Sequence, residues 1–320
     1  MKIISFIFLF CAFSAFLNAQ TYHSLNNDAN KPLYNIVSST IDETVIDYNF
    51  QGFTMIDVQT SQGVKQQVSM KGASPLLAAG EPALCQFTNS LIVGDMAHMK
   101  VKVLSVEYVD YSNVEIVPSK GNLTRDIDPS TVPYTWGRTY QQNGSFPGAD
   151  ANISEPYILR DYRGVALHIF PFTYNHATRS LRVIKSIRVM VYKDADDTMD
   201  NAMFRTSAMT KVDESFDQLY SRHFINYNQT RYTPVTERGR MLIICKPEYM
   251  SSMLPFVQWK NRIGFPTEMV STSTTGTTNT AIKTYVTNYY NTKGLTFLLF
   301  VGDAAAIPVI TSGVGGDSDN

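Results

Sequence analysis

One arginine in a polar stretch of the chain offers a peptide bond that a protease could reach. Residues 228–245 read NQTRYTPVTERGRMLIIC, so Arg231 stands in a turn-prone run that leads directly into an apolar one. A protease binds an extended, accessible segment, and Pro234 biases the residue before it away from the helical conformation. The bond between Arg231 and Tyr232 is therefore a candidate cleavage site. The alternative is a plain linker that contains an arginine, since domain boundaries are commonly polar and exposed.

Two further arginines near this bond are rival cleavage sites. Arg240 directly precedes the apolar run, where a cut would place a new charged terminus against a buried edge. Gly239 gives Arg238 only a little more freedom. The sequence therefore favours Arg231 over both.

A third region of interest is the segment KGNLTRDIDP, residues 120–129. Arg125 stands there between a strand predicted to end at Pro118 and a turn that ends in proline, which predicts an exposed loop. A planar guanidinium can bind a buried carboxylate through two parallel hydrogen bonds. The alternatives are a solvated loop arginine and, as a competing position, Arg163 before Gly164.

The cysteines and histidines show no spacing that indicates a disulfide framework or a metal site. Of the three cysteines, Cys11 lies in the N-terminal segment that is predicted below to be removed. Cys85 and Cys245 alone do not make a disulfide scaffold, and Cys245 lies in an apolar run where a buried thiol is expected. His168 falls in an alternating strand and His176 in a loop, with no further ligand at metal-binding spacing. Both histidines are therefore interpreted as ordinary strand and loop residues.

Three aspartates in the last part of the chain are the candidate ligands for a metal ion. Asp303, Asp317 and Asp319 offer hard oxygen atoms but form no recognisable calcium loop. No cofactor is assigned from the sequence, and a structural calcium ion is left open.

Composition excludes a broad class of partners. The chain has 320 residues, 44% of them hydrophobic, and this length suggests about two domains. Lys plus Arg total 27 against 28 Asp plus Glu, so no overall field attracts nucleic acid or an anionic membrane. A nucleic-acid partner is therefore not expected.

The N-terminus has the pattern of a secretory signal peptide. A basic start at Met1–Lys2 is followed by the apolar run Ile3–Phe16 and by the small residue Ala19. The run is shorter than the ~20 residues that a membrane span needs. Residues 1–19 are therefore predicted to be removed, which predicts a secreted, extracellular or cell-surface protein without a membrane span.

The next section, from residue 20 to about residue 228, alternates apolar and polar residues in short runs bounded by turn residues. Such runs predict an antiparallel sandwich or barrel. Tyr174–Leu181 is predicted to be a hairpin loop. The clearest strands are Val101–Val109, Val114–Val117, Val165–Phe170 and Leu181–Tyr192.

After Arg240 the pattern changes to that of an open parallel sheet with helices between the strands. The third strand is followed by Gly302 and Asp303, at the carboxyl edge where such sheets bind ligands. Three strands would leave a sheet edge open, so we expect the chain to be part of a longer precursor. The predicted elements are the strand Met241–Cys245, the helix Tyr249–Ile263, the strand Pro266–Val270, the helix Thr280–Tyr290 and the strand Leu295–Val301.

Several separated motifs resemble those of one family, the gingipain-type cysteine endopeptidases. Its junction between propeptide and catalytic domain is similar to RYTPV at 231–235, GRM at 239–241, FVQWKN at 256–261, LFVGD at 299–303 and IP at 307–308. Its propeptide is similar, in the same order, to DVQTSQGV at 57–64, PSKG at 118–121, FPG at 146–148 and EPYILRDYRG at 155–164.

The resemblance implies a propeptide over residues 20–231 and the incomplete N-terminal part of a catalytic domain over residues 232–320. The fold expected is an all-β, antiparallel, sandwich-like propeptide domain followed by an α/β caspase-like domain with parallel strands. The family's catalytic histidine and cysteine come later than the point reached here, and no histidine follows His223. No catalytic residue is therefore assigned in this chain.

The resemblance also assigns roles to the two arginines. Arginine-specific members are cut after an arginine that precedes Tyr-Thr-Pro-Val, which here is Arg231 before Tyr232. Arg125 resembles the basic residue of the inhibitory loop, which enters the primary specificity pocket as a substrate does.

The partners implied are peptide and protein substrates, the propeptide bound to the catalytic domain in cis, and bacterial secretion machinery. The alternative is a non-enzymatic exported protein of the cell surface or of the secretion machinery, built on the same scaffold.

Overall fold

A computed structural model describes most of the chain as two units. The described residues are 20–26, 33–195, 200–205, 209, 211–229, 235–308, 310–311 and 318–319. Unit 1 comprises residues 1–204 and 224–231, and unit 2 comprises residues 205–223 and 232–320. The predicted signal peptide lies outside the described residues.

Fourteen strands make up most of the described part of unit 1. They are β1 Gln20–Ser24, β2 Tyr34–Ser39, β3 Glu43–Asn49, β4 Gly52–Thr60, β5 Gly63–Ser69, β6 Ser74–Pro75, β7 Cys85–Ile92, β8 His98–Tyr111, β9 Ser145–Phe146, β10 Ala151–Ile153, β11 Tyr157–Leu159, β12 Tyr162–Ile169, β13 Phe172–Asn175 and β14 Ser180–Ala195. Short 3-10 helices span Pro129–Thr131, Arg138–Tyr140 and Tyr227–Gln229.

These strands form three main sheets whose pairings are all antiparallel. Their orders are β1-β4-β5, β10-β12-β7-β6 with β11 beside β12, and β2-β3-β14-β13-β9 with β8 beside β14. Phe53 of β4, Leu91 of β7 and Val189 of β14 are fully buried in one hydrophobic core, so all three sheets contribute to it. The predicted antiparallel β domain is confirmed.

The alternating pattern follows burial closely along the long strands. In β12, Val165 and Leu167 are fully buried, as a strand with one face on the core requires. In β14 both Val183 and Ile184 are buried, and the pairing with β8 shifts register directly after Ile184. Such an irregularity locally disrupts the ladder and bends the strand.

Two local predictions about unit 1 have different outcomes. The hairpin is confirmed, since β13 and β14 pair on either side of residues 176–179. The strand predicted at Val114–Val117 is not formed; this buried run makes only an isolated bridge, between Ile116 and Gln66. The apolar pattern of this run reflects burial of its side chains and does not show that the run pairs with a neighbouring strand.

Unit 2 contains a parallel sheet with helices between its strands. Its described elements are β15 Lys211–Asp213, α1 Glu214–His223, β16 Val235–Glu237, β17 Met241–Cys245, α2 Met250–Arg262, β18 Thr267–Ser271, α3 Thr272–Thr275, α4 Asn279–Lys293, β19 Phe297–Val301, β20 Ile310–Thr311 and β21 Ser318–Asp319, with a 3-10 helix at Pro247–Tyr249.

The central strand of this sheet is β17, which pairs in parallel with β18 on one side and β19 on the other. Leu242 and Ile244 of β17 are fully buried and pack with Ile282 and Tyr289 of α4. The predicted parallel α/β arrangement is confirmed. Helix α1 was not predicted. Across the described ranges, no helix combines the length and apolar character needed to cross a membrane.

Candidate functional site

The loop that contains Arg125 is held at its base by side-chain contacts within unit 1. Lys120 donates from Nζ to the Pro129 carbonyl at 2.6 Å, which ties the two ends of the loop together. Its ammonium also lies 4.3 Å from the centre of the Tyr134 ring, a cation–π distance. Gly121 adopts φ +83°, and a Cβ there would press on Ala79. No local sequence pattern predicted the Lys120 contact.

Arg125 occupies the exposed tip of this loop. The Ile127 amide donates to the Thr124 carbonyl at 3.1 Å, so Arg125 is the second residue of a tight turn. Its side chain is exposed and forms no ion pair or hydrogen bond with any other described residue. The structure therefore agrees with the predicted exposed loop.

The acidic neighbours of Arg125 are engaged in hydrogen bonds of the loop itself. A hydrogen bond from the Thr124 side chain lowers the pKa of Asp126. The Ser130 amide donates to Asp128 Oδ1 at 2.8 Å and lowers the pKa of that carboxyl. Both carboxylates are thereby fixed in turns, and the guanidinium remains available to an external acceptor.

Arg163, the competing position, is unsuitable for this role because it is fully buried. Burial lowers the pKa of its guanidinium, and the carboxylates of Asp95 and Asp200 offset part of that effect. Its nitrogen atoms donate four hydrogen bonds of 2.8 to 3.0 Å, to the carbonyls of Gly94, Ala97, Asp200 and Asn201. Arg163 therefore joins three chain segments inside unit 1.

The candidate bond between Arg231 and Tyr232 lies outside the described residues. The rival at Arg240 is described: its carbonyl accepts hydrogen bonds from the amides of Thr296 and Phe297 at 2.9 and 3.1 Å. The other rival, Arg238, donates from Nη1 to the Ile263 carbonyl at 2.8 Å. Both rivals are thus attached to the folded part of unit 2, which disfavours them as protease substrates.

Neither described thiol has the environment of a nucleophile. Burial raises the pKa of Cys85 to about 12. Burial also raises the pKa of Cys245, whose Sγ donates to the Lys246 carbonyl at 3.3 Å. A thiolate is the reactive form of cysteine, so both residues are structural here.

Of the three aspartates named as possible calcium ligands, the described side chains include that of Asp303. Asp303 Oδ1 accepts the Ala306 amide at 3.0 Å and so caps a turn. Asp319 belongs to β21, and Asp317 lies outside the described residues. Within the described ranges, no three His, Cys, Asp or Glu side chains are arranged to hold a metal ion. Calcium stays a prediction.

Comparison with known proteins assigns the chain to a family. The family model Propeptide_C25 matches residues 26–235, and the model Peptidase family C25 matches residues 235–320. This chain belongs to the C25 propeptide family. A propeptide followed by the start of a family C25 domain is the order of a gingipain-type cysteine peptidase precursor.

Relatives and a solved structure agree with this assignment. Gingipain R2 of Porphyromonas gingivalis is 33% identical over 96% of the chain, and Gingipain R1 of the same organism is 33% identical over 95%. The chain spans 42% of the first relative and 31% of the second. A complex of Porphyromonas gingivalis RgpB pro- and mature domains matches with a TM-score of 0.56 and 30% identity, covering 62% of this chain and 99% of that one.

Proposed function

We propose that this C25-family chain is the N-terminal part of a secreted cysteine endopeptidase zymogen. In this proposal residues 1–19 are the signal peptide, residues 20–231 keep the peptidase latent, and residues 232–320 begin the catalytic domain. The relatives are gingipains, so the non-enzymatic alternative is not favoured. The proposed location is extracellular or at the cell surface, with peptide and protein substrates.

The observation that carries the proposal is that the Arg125 guanidinium pairs with no other described residue, on a loop whose base is tied by Lys120. A substrate-like inhibitor must present its basic side chain without a competing internal carboxylate, and the loop does so. A pre-ordered loop also loses little conformational entropy when it binds. Arg125 is therefore proposed to occupy the primary specificity pocket of the catalytic domain in cis.

Maturation is proposed to begin at the bond between Arg231 and Tyr232. Unit 1 ends at Arg231 and unit 2 resumes at Tyr232, so a cut there falls between the units. An arginine at this bond also favours arginine specificity if the enzyme processes itself. N-terminal sequencing of the mature species should read Tyr-Thr-Pro-Val-Thr-Glu, whereas a mature enzyme that begins at Gln20 with the junction intact would contradict the proposal.

Latency is tested in the complete precursor, with the junction blocked by Arg231→Ala. Arg125→Ala should weaken inhibition by about 2 to 5 kcal/mol, because it removes a charge-assisted pair from a desolvated pocket. The readout is hydrolysis of a small arginine substrate. The matched control is Arg182→Ala, an arginine on β14 with 53% side-chain exposure that pairs with Asp110. Equal activity of the two variants would exclude Arg125 as the inhibitory residue.

A further inference from the structure

The peptide bond that follows Arg125 lies in the middle of a tight turn. The Ile127 amide donates to the Thr124 carbonyl at 3.1 Å, so residues 124–127 form a four-residue turn, here called the Arg125 turn, with Arg125 and Asp126 at its centre. Neither central residue adopts a positive φ, as in a type I turn. Both are exposed, and exposed loop tips are common sites of proteolytic cleavage.

The shape of this turn differs from the shape that a protease requires around the bond it cuts. The Cα atoms at the two ends of such a turn lie less than about 7 Å apart. The same three steps of extended chain span roughly 10 Å. A cleft that binds an extended segment therefore takes up the Arg125 side chain without admitting the bond after it, unless the turn opens.

A side-chain hydrogen bond closes the same turn a second time. The Thr124 hydroxyl donates to the Asp126 carboxylate, and this contact, together with the Asp126 amide, lowers the pKa of that carboxyl. Thr124 precedes Arg125 and Asp126 follows it, so the side-chain hydrogen bond spans the peptide bond that a protease would cut. This hydrogen bond and the one between the Ile127 amide and the Thr124 carbonyl must both break before the turn opens.

The base of the loop limits how far the turn can move as a whole. Ser119 is buried, its amide donates to the Glu81 carbonyl at 2.7 Å, and its carbonyl accepts the Gly80 amide at 2.9 Å. At the other end of the loop, the Pro129 carbonyl accepts the Lys120 ammonium at 2.6 Å. Because both ends are attached to unit 1, the turn opens only by breaking its own hydrogen bonds.

We propose that Thr124 and Asp126 are positioning residues that keep the bond after Arg125 uncut while the loop presents the Arg125 side chain. A catalytic domain that cuts after arginine then binds the loop without consuming it. This role in latency rests on the proposed function, which places Arg125 in the specificity pocket. The resistance of the bond is a property of unit 1 and applies to any protease that binds extended chain and cuts after arginine.

The test treats the intact chain with trypsin, an unrelated protease that cuts after arginine, and follows the fragments by mass spectrometry. A protease cuts the transiently open form of a folded segment, so the rate of cleavage after Arg125 reports how often the turn opens. A synthetic peptide of residues 118–131 has the same sequence without the folded base and corrects for any effect of Asp126 on trypsin itself. We expect cleavage in the intact chain to be at least a hundredfold slower than in the peptide, and equal rates would overturn the inference.

Variants of the loop separate the turn from general stability. Thr124→Val removes the hydroxyl and keeps the Asp126 charge, and Asp126→Ala removes the acceptor; each should raise the cleavage rate after Arg125 about tenfold in the intact chain and leave the peptide rate unchanged. Asp128→Asn is the matched control, because that carboxylate binds the Ser130 amide outside the turn. Cleavage after Arg188, inside the strand β14 that is paired on both sides, reports unfolding of unit 1 and should stay slow. A rate for Thr124→Val and Asp126→Ala equal to that of Asp128→Asn would contradict the proposal.

Trypsin resistance and latency are measured separately, so this inference and the proposed function can fail separately. If Arg125→Ala leaves the complete precursor inhibited but the native turn resists trypsin, the guarded bond stands and the role of Arg125 in latency is wrong. If Arg125→Ala relieves inhibition and the native turn is cut as fast as the peptide, the role in latency stands and the guarded bond is wrong.

Discussion

Truncation of Arg163 to alanine is expected to destabilise unit 1 strongly. Its four hydrogen bonds all go to backbone carbonyls, those of Gly94, Ala97, Asp200 and Asn201. A hydrogen bond to a charged group contributes roughly 1.5 to 3 kcal/mol, but the four are not additive because they share one guanidinium. Removing the guanidinium leaves carbonyls without their donor, at roughly 1 to 3 kcal/mol for each buried acceptor, so for four non-additive losses we expect about 3 to 5 kcal/mol in total.

The assay is urea unfolding of the intact chain, followed by tryptophan fluorescence. The sequence has two tryptophans, Trp136 in unit 1 and Trp259 in unit 2. Replacing Trp259 by phenylalanine leaves a reporter of unit 1. With a urea dependence of roughly 2 kcal/mol per M, the midpoint for Arg163→Ala should fall by about 1.5 to 2.5 M.

Arg182→Ala is the matched control for the same assay. Its guanidinium binds Asp110 at 2.8 Å with both side chains more than half exposed, so its loss should cost about 1 kcal/mol or less. Equal midpoints for the two variants would refute the view that Arg163 holds unit 1 together. Survival of Arg163→Leu with an unchanged midpoint would refute it as well.

Two further predictions concern titration and thiol reactivity. The hydrogen bond from Lys65 lowers the pKa of Glu115 below its ordinary value of 4.5. The ionised carboxylate therefore stabilises the folded chain above pH 4.5, and this stabilisation is lost as the pH falls through the lower pKa of the folded state. Glu115→Gln should therefore be less stable than the native chain at pH 6.5, and urea midpoints should converge towards pH 3; a constant difference would contradict the assignment. Because burial raises the pKa of Cys85 and Cys245, alkylation at pH 8 followed by mass spectrometry should label either residue only in urea, and labelling of the native chain would refute their structural role.

The sequence pattern was sufficient to predict an element where that element's own residues show how it is buried. The apolar run Met241–Cys245 predicted β17 with the bounds observed, because a central parallel strand is covered on both faces. Helix α4 begins after Thr278, whose side chain accepts the Ala281 amide, and ends at Gly294 with φ +76°. Gly294 predicted where the helix ends, whereas the first residue of the helix is set by the Thr278 cap.

Long-range partners could not be predicted in the same way. The alternation of apolar and polar residues predicts which side chains share one face of a strand, but it does not predict which other strand pairs with that strand. The ion pair between Arg188 and Asp47 joins β14 to β3 across 141 residues. Arg163 before Gly164 was the competing position for Arg125, and its burial could not be predicted because the four carbonyls that bind it come from segments far away in sequence. Position in the fold, rather than residue type, distinguishes it from Arg125.

The order of segments along the chain has a consequence for synthesis. Unit 1 is completed by residues after α1: Asn226 accepts the Ile92 amide at 2.8 Å and donates to its carbonyl at 3.0 Å. Phe216 of α1 stacks on Phe297 of β19, with ring centroids 5.7 Å apart, and β19 ends only at Val301. At roughly 5 to 20 residues per second, about 4 to 16 s separate the end of α1 from the end of β19 on the ribosome. Throughout that interval Phe216 has no Phe297 ring to stack on, so this aromatic side chain of an otherwise polar helix stays without its partner until β19 has been synthesised.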